Sequence, residues 1–142
     1  MELVIVCDDV ALGEESVRRG LAGTVLVHKI SGAAAAKGAP LEEVVAVAQA
    51  VANAVGTIGV GLGPCILPGA EAPGFTLGEN EMELGLGIHG EPGVCKQELM
   101  EADPLVDLML QNIVSVLGIT SGPSIVLING LVKDSHQDLF PS

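Results

Sequence analysis

The chain has no tryptophan and no tyrosine, only two phenylalanines, and six lysines and arginines against eighteen aspartates and glutamates. Nucleic-acid binding draws on cations for phosphates and on aromatic rings for bases, so the aromatic share of 1% and the net charge of −12 argue against that class of partner. An anionic membrane surface is disfavoured for the same reason. Cysteine is scarce as well. Cys7, Cys65 and Cys95 form neither a CxxC pair nor an even disulfide framework, which fits a reducing, cytoplasmic setting. Long apolar runs are missing. The first ends at Cys7, too short for a leader core or a membrane span, and Gly, Pro or charge breaks the later ones. The positive mean hydropathy of +0.55 therefore reports a buried core. With so few aromatics, Val, Leu, Ile and Ala must fill that core.

At 142 residues the chain is the size of one domain. Leu3–Cys7 reads as a buried strand that ends on the acidic pair Asp8-Asp9. Glu14–Leu21 has acids before arginines in the order that favours a short helix, stopped at Gly20 or Gly23. Thr24–Lys37 reads as a second helix with Gly38 behind it. Pro40 with Glu42 and Glu43 opens a third that runs to Val55. Residues 103–117 carry apolar side chains at helical spacing after a capping Asp103-Pro104. Glycine alternates with apolar residues over Gly56–Gly63 and again over Glu83–Ile88, which predicts two glycine-faced strands side by side. The expected fold is one α/β layered domain. Its mixed β-sheet, built from Leu3–Cys7, Thr57–Leu62, Met82–Ile88 and Ser124–Ile128, is flanked by helices.

The chemistry-bearing segment is Gly85-Leu86-Gly87-Ile88-His89-Gly90-Glu91-Pro92-Gly93. Gly85, Gly87, Gly90 and Gly93 would let a substrate approach the backbone around His89. A neutral imidazole there has the chemistry of a base, a metal ligand or a nucleophile, and Glu91 is placed to orient the ring. No metal site is expected, because His28 and His136 have no ligand spacing to His89. GxSxG and GxxxxGK[ST] are absent. The GxGxG of Gly59–Gly63 runs into Pro64-Cys65 instead of opening a helix, so no nucleotide cofactor is expected on this chain. His28 reads as a helix-surface or core-edge residue, Cys65 and Cys95 as small buried hydrophobes, and Glu79, Glu81, Glu83 and Glu91 as a solvated acidic cluster of which only Glu91 lies near His89.

Three segments together carry a resemblance. Gly20-Leu21-Ala22-Gly23-Thr24-Val25-Leu26-Val27-His28-Lys29, Gly56-Thr57-Ile58-Gly59-Val60 and Glu81–Gly93, in that order, resemble the later part of the substrate-binding module of dihydroxyacetone kinases. The likeness spans residues 1–131 and leaves 132–142 as a non-matching polar tail. It implies that His89 adds to the ketone carbon of dihydroxyacetone to form a covalent hemiaminal. It also implies a partner: a nucleotide-binding kinase module or subunit that supplies ATP, or a phosphotransferase-system donor. The family's earlier part, with its general base, has no counterpart here. A truncated glycerone kinase component, inactive as a kinase alone and prone to self-association through exposed apolar surface, is the expectation. The alternatives are a non-catalytic regulatory paralogue that binds dihydroxyacetone, and an inert structural fragment.

Overall fold

The computed structural model describes residues 1–13, 17–64, 71, 73 and 75–130. In chain order these form helices α1 (Gly23–Ala36) and α2 (Leu41–Ala54), strands β1 (Val60–Gly61), β2 (Glu81–Leu84) and β3 (Cys95–Glu98), and helix α3 (Ala102–Leu117). The α/β class holds. The sheet is antiparallel in the order β1-β2-β3, with Val60 opposite Leu84, Gly61 opposite Glu83, and Glu81–Leu84 opposite Glu98–Cys95. One isolated parallel bridge, Asp9 with Thr57, ties the N-terminal segment to the residues that lead into β1.

The glycine-faced segments do lie side by side, and a backbone fills the space between them. A Cβ on Gly59 would run into the carbonyl oxygen of Leu86. The core gathers Val10, Ile58 and Leu84, and α3 lays Leu108, Met109 and Ile113 against it. Those three stand at the i, i+1 and i+5 positions of one helical stripe. Met82 is fully buried at the centre of β2. Burying a side chain of that size contributes about 2 kcal/mol. The helices α1 and α2 pack against each other as a hairpin.

Several expectations are corrected: the sheet among the described residues is antiparallel and not mixed, and its strands are shorter, Val60–Gly61 and Glu81–Leu84 in place of Thr57–Leu62 and Met82–Ile88, the latter cut short where Gly85 turns to φ +77°. Leu3–Cys7 has the burial period of a strand, with Val4 and Val6 half-buried between exposed neighbours, but it forms no ladder among the described residues. Ser124–Ile128 also lacks a ladder and is exposed along its whole length, Ile125 at 85%. A strand needs a neighbour for its backbone groups, and neither segment finds one among the described residues. Of the expected helix Glu14–Leu21, residues 14–16 lie outside the described residues, and Val17–Leu21 is not helical, because its backbone groups are spent on tertiary partners. The Arg19 carbonyl accepts from Asp9 N–H at 3.1 Å, and Leu21 N–H donates to Asp8 at 2.6 Å. Gly23 consequently starts a helix instead of stopping one. Finally, β3 was not expected at all, and α3 opens one residue before Asp103, with Glu101 at its N-cap and Asp103 in its first turn.

Candidate functional site

The loop that carries His89 is the connection of the β2–β3 hairpin. Strand β2 stops at Leu84 because Gly85 turns to φ +77°, a left-handed conformation that side chains disfavour. The hairpin neck is closed by Val94 N–H donating to Leu84 O at 2.8 Å, and Gly85 N–H ties the turn to the residue before β1 by donating to Gly59 O at 2.7 Å. Within the loop, Gly87 N–H donates to Glu91 O at 3.0 Å and Gly90 N–H, at φ +83°, to Gly87 O at 3.2 Å. Gly93 N–H donates to Glu83 Oε1 at 2.7 Å. Glu83 is therefore buried and engaged, unlike the solvated cluster member expected from sequence, while Glu79 and Glu81 are exposed.

At the tip the Glu91 carboxylate holds His89 twice. Oε2 accepts the backbone N–H of His89 at 2.9 Å, and Oε1 lies 2.9 Å from Nδ1 of the ring. A carboxylate only accepts, so the neutral ring placed here carries its proton on Nδ1 and leaves a lone pair on Nε2. The hydrogen bond from the His89 ring, followed by backbone N–H donors of Glu91 and His89, lowers the Glu91 pKa from 4.5 to about 2. The imidazole itself is 76% exposed. Gly87 has a steric duty at this point: a Cβ there would strike Glu91 Oε2 and lie 2.9 Å from an Arg19 nitrogen. Glycine is what lets Glu91 fold back beneath the tip.

Sequence reasoning missed the groups under the loop. Asp8 and Asp9 are buried at 1% and 0% exposure. Asp8 accepts from Leu21 N–H at 2.6 Å, Gly23 N–H at 2.8 Å and the Thr57 hydroxyl, which places a carboxylate on the N-terminus of α1. Asp9 pairs with Arg19 at 2.6 Å and accepts the Ala11 N–H at 3.0 Å. Arg19 also donates to the carbonyl oxygens of Gly85 at 2.6 Å and Pro92 at 3.3 Å. The acidic pair after a strand-like run was visible in the sequence; its partners, up to 49 residues away, were not.

The remaining candidates stand apart. His28 is exposed on α1. Cys7 and Cys95 are exposed free thiols, and for Cys95 this corrects the expectation of burial: its strand sits at the sheet edge, paired with β2 alone. Cys65, His136 and the tail 132–142 lie outside the described residues. Among the described residues no three His, Cys, Asp or Glu side chains are gathered as metal ligands, and no helix is long and apolar enough to cross a membrane. A depression of about 530 Å³ lies between α1 and α2 around Ile30, Ala34, Lys37, Pro40 and Val47, and His89 is not among the residues that line it. The His89 ring itself opens to solvent.

Comparison with known proteins places this geometry in context. The family described as Dak1 domain matches residues 1–140. The dihydroxyacetone-binding subunit DhaK of PTS-dependent dihydroxyacetone kinase 1 from Listeria innocua is 45% identical over 135 residues, covering 92% of this chain and 41% of that protein. The crystal structure of the dihydroxyacetone kinase of C. freundii superposes with a TM-score of 0.73 at 39% identity, over 80% of this chain and 21% of that one. The dihydroxyacetone kinase operon co-activator DhaQ superposes with a TM-score of 0.74 at 29% identity, over 81% and 36%. The chain spans less than half the length of each of these relatives.

Proposed function

The chain belongs to the Dak1 domain family, and on that premise we propose that its His89 loop captures dihydroxyacetone as a covalent hemiaminal within a larger glycerone kinase. The observation that carries this reading is the Glu91 contact to Nδ1 at 2.9 Å on an imidazole otherwise open to solvent. The Nε2 lone pair adds to the ketone carbon, the carbonyl π electrons move to oxygen, and that oxygen takes a proton. Nδ1 releases its proton to solvent water, which supplies the one the oxygen gains, so the adduct is neutral. Glu91 remains a carboxylate throughout and stabilises the positive charge that builds on the ring during addition.

The covalent step suits the ligand. A small uncharged triose offers few contacts, and a reversible C–N bond both fixes it and rejects glycerol, which lacks a carbonyl. Gly85, Gly87, Gly90 and Gly93 shape the loop that presents the ring. ATP or a phosphotransferase-system donor would be supplied by a separate nucleotide-binding module or subunit. The likeness to the co-activator DhaQ favours one second reading, a ligand-responsive regulator that keeps the trap without transferring phosphate.

The test is NMR of the chain with dihydroxyacetone labelled with ¹³C at the carbonyl. A new tetrahedral-carbon resonance, lost in His89→Asn and absent with glycerol, is expected. A ketone signal that stays unchanged at saturating protein overturns the reading. Phosphate transfer on adding a nucleotide-binding kinase subunit separates the kinase component from the regulator.

A further inference from the structure

The guanidinium of Arg19 touches the His89 loop at both ends while resting on a carboxylate that belongs to the core. Its Nε lies 2.7 Å from Asp9 Oδ2 and one terminal nitrogen 2.6 Å from the same oxygen. That terminal nitrogen donates to Gly85 O at 2.6 Å, where the loop leaves β2, and the other donates to Pro92 O at 3.3 Å, just before the loop returns. Asp9 is itself immobilised: it has no exposed surface, its Oδ1 accepts Ala11 N–H, and its backbone is bridged to Thr57.

We propose that Arg19 is the positioning residue of the site, fixing the direction in which Nε2 of His89 points by holding Gly85 and Pro92 in register with Asp9. The guanidinium and the Glu91 carboxylate both flank the space where a Gly87 side chain would stand, so the arginine lies close to the dyad as well as to the loop's ends. Only a planar fork with several fixed donors serves a carboxylate and two carbonyls at once. A lysine keeps the charge against Asp9 with a single nitrogen and loses the span between the loop's ends. The functional consequence rests on His89 being the carbonyl trap; the positioning role is measurable without it.

The experiment uses the whole chain with ¹⁵N-labelled histidine, the His89 signals being those missing in His89→Asn. In the wild type the ring is expected in its Nδ1–H tautomer. In Arg19→Lys and Arg19→Met that preference should be lost, and uptake of labelled dihydroxyacetone should fall roughly tenfold to a hundredfold, as for a displaced reacting group. Arg19→Lys retains a cation beside buried Asp9, so it decides the matter if Arg19→Met does not fold. Ala48→Gly in α2 lowers stability far from the loop and should leave the tautomer alone. An unchanged tautomer in Arg19→Lys, or an equal change in Ala48→Gly, overturns the proposal. A wild type with the expected tautomer but no uptake of dihydroxyacetone sinks the trap, while the Arg19 variants still decide the positioning role from the tautomer.

Discussion

Two carboxylate-bearing regions of this molecule are built in opposite ways. Asp8 and Asp9 are sealed from water and each meets several donors, whereas Glu91 is only half-covered and grips one neighbour two residues away. The first arrangement holds distant segments together; the second prepares a single ring. The difference separates what stabilises the fold from what equips the loop. A buried carboxylate deprived of its role leaves its donors unpaired in the interior, while an exposed one yields its place to water at small cost.

That contrast is broken most severely by Asp8→Ala. It orphans the N–H groups of Leu21 and Gly23 and the Thr57 hydroxyl, and a loss of roughly 3 kcal/mol or more is expected, read as a large drop in the denaturation midpoint. Survival of Asp8→Ala with near-normal stability would mean the buried region is no keystone. Next comes Gly87→Ala. Its methyl collides with Glu91 and Arg19, so the expected result is a folded protein whose dihydroxyacetone uptake falls roughly tenfold or more. The smallest effect is a titration. Because the folded-state pKa of Glu91 lies below its ordinary 4.5, at about 2, the stability it lends is complete above pH 4.5 and disappears as pH falls through about 2. In His89→Asn the midpoint, followed by ¹³C NMR of the carboxylate, should climb back toward 4.5; a midpoint that stays near 2 would show the ring hydrogen bond is not its cause.

The helices were legible because their signals are local. Gly38, at φ +83°, closes α1; Pro40 followed by two acids opens α2; and the stripe Leu105, Leu108, Met109 and Ile113 marks α3. The His89–Glu91 pair was legible for the same reason, since the two residues are neighbours in the chain. Strand β3 was not. Cys95-Lys96-Gln97-Glu98 has no apolar alternation, because backbone pairing with β2 holds it in place and no buried face is needed. Nor was the Arg19 bridge, since Glu14 and Glu15 ahead of Arg18 and Arg19 suggested a helix. Local charge order lost there to bonds made across the fold, with Gly85 and Pro92 far along the chain.

The Asp8 carboxylate joins three stretches of chain at one point: the N-terminal run, the start of α1 and Thr57. Fraying of that helix end and parting of the Asp9–Thr57 bridge are therefore a single cooperative event. Thermal motion that unseats one also withdraws the foot on which Arg19 stands, so the loop's order at any moment is a readout of whether this distant knot is tied.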